Sequence, residues 1–198
     1  MKNLLFVNGC IRGAKSRTLQ LAHRFLHAYR THHPDVQVET VDLNALRLQP
    51  LYEDTLAARD AAFGNWDDPM FALAHQFQQA DLIVLAAPFW EGTFPSAMHT
   101  YLEHVCVTGL TFECTEAGYI GRCKAEQAVF ITTRGGIYEQ GPSVEDDHAA
   151  PYLRSLLGML GIQTLHSVAA EGLDIQGFDA ECAMENAGRR AEQLGCSL

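Results

Sequence analysis

Short apolar runs alternate with amphipathic stretches along the chain, a pattern typical of a parallel sheet covered by helices. Residues 4–7, 82–87 and 129–133 are continuous, largely apolar runs, as expected of strands that are buried on both faces. Residues 36–41 alternate between apolar and polar positions and residues 162–170 contain several polar side chains, so we expect both at sheet edges. The pattern therefore predicts five strands, of which the first, third and fourth are central.

Apolar residues between these strands recur at the three- and four-residue spacing of amphipathic helices. Each of the five stripes follows a helix start signal. Single residues give three of these signals, Ser16, Pro95 and Asp179. The other two are an aspartate with a following proline: Asp67 or Asp68 with Pro69, and Asp146 or Asp147 with Pro151. Residues 44–65 are irregular apart from a short helix around residues 57–62, and we expect them to form a lid or rim. Residues 109–121 are predicted to be a loop.

Strands that alternate with helices, with the second and fifth at the edges, predict a specific α/β architecture. It is the flavodoxin-like doubly wound parallel five-stranded sheet, with strand order 2-1-3-4-5. The chain has 198 residues, of which 47% are hydrophobic and 19% charged, so residues 1–198 are expected to form a single domain.

Charge and cysteine content narrow the range of partners. The formal net charge of -10 and the isoelectric point near 5.3 argue against nucleic acid or an anionic membrane surface as the main partner, although a local basic pocket is compatible with them. Six cysteines without CxxC spacing predict neither a zinc site nor a disulfide framework, and they suit a reducing cytoplasm. His23 and His27 lie one helical turn apart, but no carboxylate or cysteine accompanies them, so no metal site is predicted. No export signal or membrane anchor is visible in the sequence.

The loop between the first strand and the first helix has the composition of an anion-binding site. It contains Gly9, Gly13 and Lys15 and leads to Ser16, Arg17 and Thr18, which would hold a phosphate at the start of the helix. An ordinary capped turn is the alternative. A P-loop is disfavoured because only three residues separate the two glycines and Ala14 separates Gly13 from Lys15.

Two further loops follow central strands. Pro88 ends the third strand and leads into the turn Phe89-Trp90-Glu91-Gly92, a candidate for holding a flat ligand, although its aromatic residues could simply cap the core. Arg134-Gly135-Gly136 ends the fourth strand, where paired glycines allow close backbone approach to a ligand or form a plain turn. All three loops are expected at one end of the sheet. A ligand with a phosphate at one end and a planar ring at the other fits such an arrangement, and FMN is such a ligand.

The chain also resembles a known family, the bacterial FMN-dependent NADH:quinone oxidoreductases and azoreductases, which are flavodoxin-like homodimers. The motifs that carry the resemblance lie between residues 86 and 173, and they are AAPFW, TGLTFECTEAG, ITTRGGIY, PYLRSLLGMLGI and AEGL. The resemblance implies that Ser16, Arg17 and Thr18 hold the FMN phosphate, and that residues 89–92 and 133–136 line the isoalloxazine ring. Thr133 is the first residue of the second range, and Pro88, directly before the first range, is also expected to contact the cofactor.

The chain departs from that family at several positions. Cys10 stands in the phosphate loop where serine is frequent, and Trp90-Glu91 replaces a common Tyr-Asn pair. Cys114 and Met159 occupy positions that often carry aromatic residues over the flavin, and with Phe112 they are expected to form the substrate pocket. Met159 is expected to border the flavin site of a second subunit.

The favoured function is an enzyme in which FMN passes two electrons from NADH or NADPH to a quinone or azo-type acceptor. No catalytic triad is expected, because the cofactor carries the chemistry. Arg134 is the candidate positive group beside the ring, unless it pairs with Glu91 or a surface acid. The alternative is a flavodoxin-like electron carrier without pyridine-nucleotide activity of its own. A signalling receiver domain is disfavoured, because the first strand ends in Asn8-Gly9 rather than in an acidic pair.

Overall fold

A parallel sheet forms the centre of the computed structural model, which describes residues 2–198. In chain order the strands are β1 (Asn3–Asn8), β2 (Gln37–Asp42), β3 (Leu82–Ala86), β4 (Phe112–Thr115), β5 (Gly118–Gly121), β6 (Gln127–Thr133) and β7 (Thr164–Ala170). Five of them form the sheet in the order β2-β1-β3-β6-β7, and all neighbouring pairs are parallel. The predicted five-stranded parallel sheet is confirmed, with β2 and β7 at its edges.

The hairpin of β4 and β5 is a correction to the sequence prediction, which assigned residues 109–121 to a loop. These two antiparallel strands lie outside the main sheet, so the predicted numbering 2-1-3-4-5 is met only when they are left out of the count. The hairpin has little sequence signal, because only Phe112 in its two strands is buried. Gly121 packs so closely against Gly161 that a Cβ atom would lie 2.0 Å from the Gly161 nitrogen.

Helices connect the strands and begin near the predicted signals. They are α1 (Arg17–His32), α2 (Leu43–Leu46), α3 (Glu53–Ala61), α4 (Ala72–Gln79), α5 (Ser96–Val105), α6 (Ala149–Met159) and α7 (Ala180–Ser197). The side chains of Ser16 and Asp179 accept hydrogen bonds from the first turns of α1 and α7, as N-caps do. Asp68 likewise caps a 3-10 turn, Pro69–Phe71, that runs into α4. The short helix predicted around residues 57–62 begins earlier, at Glu53, and it buries none of its residues.

Two apolar cores lie on opposite faces of the sheet. Alternate residues of β1 show the division, because Leu5 and Val7 belong to one core whereas Leu4 and Phe6 belong to the other. Residues of α4, α5 and α6 complete the first core, and residues of α1 and α7 complete the second. Burial on both faces explains why the central strands are continuous apolar runs. Within the described residues, no helix combines the length and apolar character needed to cross a membrane.

Candidate functional site

The three loops that the sequence singles out lie together at the carboxyl edge of the sheet. Because β1, β3 and β6 are parallel neighbours, their carboxyl ends meet at one edge. The Gly9 N–H donates to the Ala86 carbonyl at 2.8 Å, which joins the first loop to the end of β3. The Phe89 N–H donates to the Thr133 carbonyl at 3.0 Å, which joins the second loop to the end of β6. The backbone of this edge is therefore a connected unit.

The first loop presents the amino end of α1 to this edge. Ser16 is buried, and its Oγ accepts the Leu19 N–H at 3.2 Å. The N–H groups of Arg17 and Thr18 have no acceptor among residues 2–198, as is usual in the first turn of a helix. A helix amino end with unpaired N–H groups can bind an anion.

Arg17 and Thr18 already have partners in this loop. The Arg17 guanidinium donates to the Leu173 carbonyl at 3.3 Å and to Asp174 Oδ1 at 3.0 Å. The Thr18 hydroxyl is fully buried and lies 2.6 Å from the Thr133 hydroxyl. Both side chains therefore also tie the start of α1 to neighbouring segments.

Cys10 belongs to this loop and is almost fully buried. Its N–H donates to Asn8 Oδ1 at 3.0 Å, and its Sγ lies 3.7 Å from the Ala86 carbonyl oxygen. Burial raises the pKa of the Cys10 thiol to about 11, and this effect exceeds the opposing hydrogen bond with Ser16. The thiol is therefore protonated and uncharged at neutral pH, so it would not repel an anion in the loop above it.

The second loop is a tight turn with two residues in the left-handed region. Trp90 and Thr93 exchange backbone hydrogen bonds of 2.9 and 2.8 Å, while Glu91 and Gly92 have φ angles of 46° and 79°. This geometry is that of a type I′ turn. The Trp90 side chain remains 37% exposed at the turn, whereas Pro88 and Phe89 before it are buried. Trp90 is therefore the aromatic residue of this loop that is available to a flat ligand.

The third loop packs against the segment that follows β7. The carbonyls of Gly135 and Gly136 accept the N–H groups of Asp174 and Gly172 at 3.1 and 2.8 Å. A Cβ atom on Gly135 would lie 2.7 Å from an Asp174 carboxylate oxygen, and one on Gly136 would lie 3.1 Å from the Tyr138 ring. A side chain at Gly135 would have to displace the Asp174 carboxylate, and one at Gly136 would press against the Tyr138 ring, so glycine suits both positions.

Arg134 is buried, with a 3% exposed side chain, and it pairs with neither Glu91 nor a surface acid. Its guanidinium binds Asp147 Oδ2 at 2.8 Å and Glu171 Oε1 at 3.0 Å. It also lies 5.0 Å from the centre of the Phe89 ring. Glu171 belongs to the AEGL motif but was not predicted as a site residue, and Asp147 was expected only at a helix start. The position of Glu171 directly after β7, at this same sheet edge, is the signal that could have revealed it.

The three residues expected in the substrate pocket lie in different surroundings. Met159 lines a groove of about 450 Å³ between α6 and the β4–β5 hairpin. The other lining residues are Tyr119, Tyr152, Ser155, Leu156 and Gly158. Cys114 is exposed beside Tyr119 in the hairpin, whereas Phe112 is buried with its ring 5.9 Å from that of Tyr119. Phe112 therefore supports Tyr119 from below.

His99 connects this groove to the aromatic turn. Its Nε2 lies 3.3 Å from the Thr93 hydroxyl, and its ring lies 5.5 Å from that of Tyr152. Burial lowers the pKa of His99 below its ordinary value. The imidazole is therefore neutral at and above neutral pH. His99 was not predicted from the sequence, because its two partners belong to different elements.

Comparison with known proteins identifies relatives over nearly the whole length. The family described as the flavodoxin-like fold matches residues 2–194. The FMN-dependent NADH:quinone oxidoreductase 2 of Clostridium acetobutylicum is 36% identical over 179 residues, which are 90% of each chain. An FMN-dependent NADH:quinone oxidoreductase of Caldicellulosiruptor saccharolyticus is 32% identical over 199 residues, or 98% of each chain.

Solved structures agree with this result. The azoreductase from Bacillus anthracis superposes with a TM-score of 0.90, at 26% identity, and 100% of each chain is covered. The resemblance that the sequence motifs indicate is confirmed. The chain therefore belongs to the family of FMN-dependent NADH:quinone oxidoreductases, within the flavodoxin-like fold.

Proposed function

We propose that this chain is an enzyme that binds FMN and passes two electrons from NADH or NADPH to quinone or azo-type acceptors. One observation carries the proposal: a helix amino end with unpaired N–H groups, an exposed aromatic turn and a close-packed glycine loop meet at one edge of the sheet. Family membership supports the same function. Residues 1–198 would form a single FMN-binding domain.

The residues at this edge fit FMN in charge and shape. The unpaired N–H groups of Arg17 and Thr18, the Arg17 guanidinium and the Ser16 hydroxyl would hold the phosphate, above the uncharged thiol of Cys10. The ring would lie against residues 88–92 and 133–136, with the exposed Trp90 indole on one side. FMN held there would supply the hydride-accepting and two-electron chemistry, and the protein would supply its orientation and its electrostatic surroundings.

The acceptor is proposed to enter through the groove beside Met159, which lies next to the aromatic turn through His99 and Tyr152. Tyr119 and Ile120 at the hairpin are 63% and 53% exposed, and exposed apolar residues next to a groove favour an interface with another subunit. We therefore also propose a homodimer in which Met159 borders the pocket of the second subunit. Phe112 and Cys114 would contribute to the same pocket from the hairpin.

The acidic charge and the six free thiols support a cytoplasmic enzyme without nucleic-acid or membrane partners. A flavodoxin-like electron carrier is the second candidate, because the fold and the acidic charge suit it equally well. The names of the relatives favour the enzyme, since both describe NADH:quinone oxidoreductases.

Spectroscopy and turnover together test the proposal. The purified protein, after incubation with FMN and gel filtration, is expected to retain a flavin spectrum that bleaches when NADH or NADPH is added under nitrogen. Addition of a quinone should restore the spectrum and allow continuous NADH oxidation without a partner protein. An electron carrier would bind FMN but show no such turnover. A protein that cannot be loaded with FMN would refute both candidates.

A further inference from the structure

Glu171 binds three groups of the loop that follows β6. Its Oε1 accepts from Arg134 Nη1 at 3.0 Å, from the Tyr138 N–H at 3.0 Å and from the Glu139 N–H at 3.2 Å. Its Oε2 accepts from the same Glu139 N–H at 3.2 Å. A carboxylate with several such hydrogen bonds is a strong acceptor. One side chain from the end of β7 therefore fixes both ends of residues 134–139.

Asp147 holds the start of α6 by several hydrogen bonds in the same way. Its Oδ2 accepts from Arg134 Nη2 at 2.8 Å, whereas its Oδ1 accepts from the N–H groups of Ala149 and Ala150 at 2.9 and 3.2 Å. The next residue, His148, donates its N–H to the Gly92 carbonyl at 2.9 Å. The start of α6 is thus attached to the glycine loop on one side and to the aromatic turn on the other.

Arg134 joins these two carboxylates. Both of its Nη groups are used, its Nε is buried without a partner among the described residues, and the guanidinium lies over the Phe89 ring. Two negative charges surround this one positive charge. Arg134 therefore offers no net positive charge to a ligand, and its planar fork serves to hold two carboxylates at once.

We infer that Asp147 and Glu171 are positioning residues of the ring site, which act through Arg134 to hold the glycine loop and the aromatic turn in one arrangement. This inference rests on the proposed FMN function and deepens it. The two loops that would line the ring come from different strands, and the cluster of Arg134, Asp147 and Glu171 links them by charge-assisted hydrogen bonds. Loss of Arg134 would leave two largely buried carboxylates without their cation, and loss of either carboxylate would remove one of the two links between the loops.

The first measurement uses the flavin-free protein, so its result does not depend on the proposed function. Hydrogen exchange of the Tyr138 and Glu139 amides is compared in the wild type, Glu171→Ala and Glu171→Gln. We expect exchange to be at least about tenfold faster in Glu171→Ala and intermediate in Glu171→Gln, because glutamine keeps an acceptor oxygen. Glu185→Ala is the matched control. It removes an exposed glutamate of α7 that pairs with Arg24, and it should leave the exchange rates of both amides unchanged.

The second measurement is FMN affinity in Arg134→Lys. Lysine keeps the positive charge but cannot bind two carboxylates as a fork, so FMN and riboflavin should both weaken, by the same factor of about ten. Equal weakening of the two ligands assigns the effect to the ring site rather than to the phosphate loop. Glu171→Gln should bind both ligands better than Glu171→Ala. If Glu171→Ala does not fold, the two conservative variants provide the test.

Two results would overturn the inference. Wild-type FMN affinity in Arg134→Lys would show that a positive charge alone is needed at this position. Unchanged amide exchange in the Glu171 variants would show that Glu171 does not hold the loop. A wild-type protein that binds no FMN would instead refute the proposed function, while the exchange data would still decide whether the cluster holds the loop.

Discussion

The hydroxyl groups of Thr18 and Thr133 lie 2.6 Å apart in the protein interior, where they connect α1 to the end of β6. These residues are 115 positions apart in the sequence. Each hydroxyl finds its partner in the other, so removal of one leaves the second as a buried polar group without its hydrogen bond. The pair joins the proposed phosphate loop to the strand that carries the proposed ring loop.

We predict that Thr18→Val and Thr133→Val each lower the free energy of unfolding by about 1–3 kcal/mol, the cost of an unsatisfied buried group. The double variant should lose less than the sum of the single variants, because it removes both polar groups at nearly constant volume. Urea unfolding of the flavin-free wild type, the two single variants and the double variant measures these free energies. Additive effects would show that the two hydroxyls do not interact.

The second prediction concerns the phosphate. Ser16→Ala should weaken FMN by roughly tenfold or more, because hydrogen bonds to a charged group contribute about 1.5–3 kcal/mol, whereas riboflavin should weaken little. Both affinities are measured by the quenching of flavin fluorescence. Asp179→Ala is the control, since it removes the N-cap of α7, and with it some stability, without removing a group that is proposed to bind the phosphate. Equal weakening of the two flavins in Ser16→Ala would contradict the phosphate assignment.

Much of the fold could be predicted because burial leaves a direct trace in composition. The central strands β1, β3 and β6 lie between two cores, so nearly every residue in them is buried and each contains a continuous apolar run. The β4–β5 hairpin left no comparable trace, because it is short, lies outside the sheet and buries only Phe112. Periodicity detects burial, and a strand that buries one residue shows no period.

The site was predictable only down to the level of its loops. Parallel topology alone brings the ends of β1, β3 and β6 together, so the neighbourhood of the three loops follows from the strand order. The side-chain partners within this neighbourhood do not follow from the strand order. Arg134 reaches Asp147 and Glu171, which lie 13 and 37 positions further along the chain, because the intervening loops return to the same edge. Such loop paths depend on packing that no local pattern encodes.

The third prediction concerns the strained residue of the aromatic turn. Glu91 has a φ angle of 46°, which costs an ordinary residue roughly 1–2 kcal/mol, while asparagine adopts this conformation more readily. Glu91→Asn should therefore raise the free energy of unfolding by about 0.5–1 kcal/mol. Glu91→Val should lower it, because a β-branched side chain fits this region poorly. Glu116→Asn changes an exposed glutamate with negative φ and should have little effect.

The fourth prediction is a dependence of stability on pH. Since burial lowers the pKa of His99, the unfolded chain binds this proton more readily than the folded chain does. The free energy of unfolding should fall as the pH decreases below the ordinary histidine value of 6.5. The decrease due to His99 should end once the pH is below the pKa of His99 in the folded protein. His99→Gln should reduce the slope in this range, measured by urea unfolding at several pH values. An unchanged slope in His99→Gln would contradict the role of His99.

The last prediction addresses acceptor choice at the groove beside Met159. Methionine is flexible and polarizable, so the groove can accept ligands of different shape, whereas a phenylalanine there would offer a flat, rigid surface. Met159→Phe should therefore raise kcat/KM for flat quinones relative to bulky, non-planar acceptors by about two- to tenfold, which corresponds to the 0.5–1.5 kcal/mol of a ring–ring contact. FMN affinity should stay unchanged. Met184→Phe places the same change in a separate cavity between α1 and α7, and it should leave the acceptor profile as it is. If Met159→Phe, Met184→Phe and the wild type all show the same ratio of kcat/KM for flat and bulky acceptors, the acceptor site lies away from this groove. A phenylalanine ring that contacts the acceptor must change this ratio.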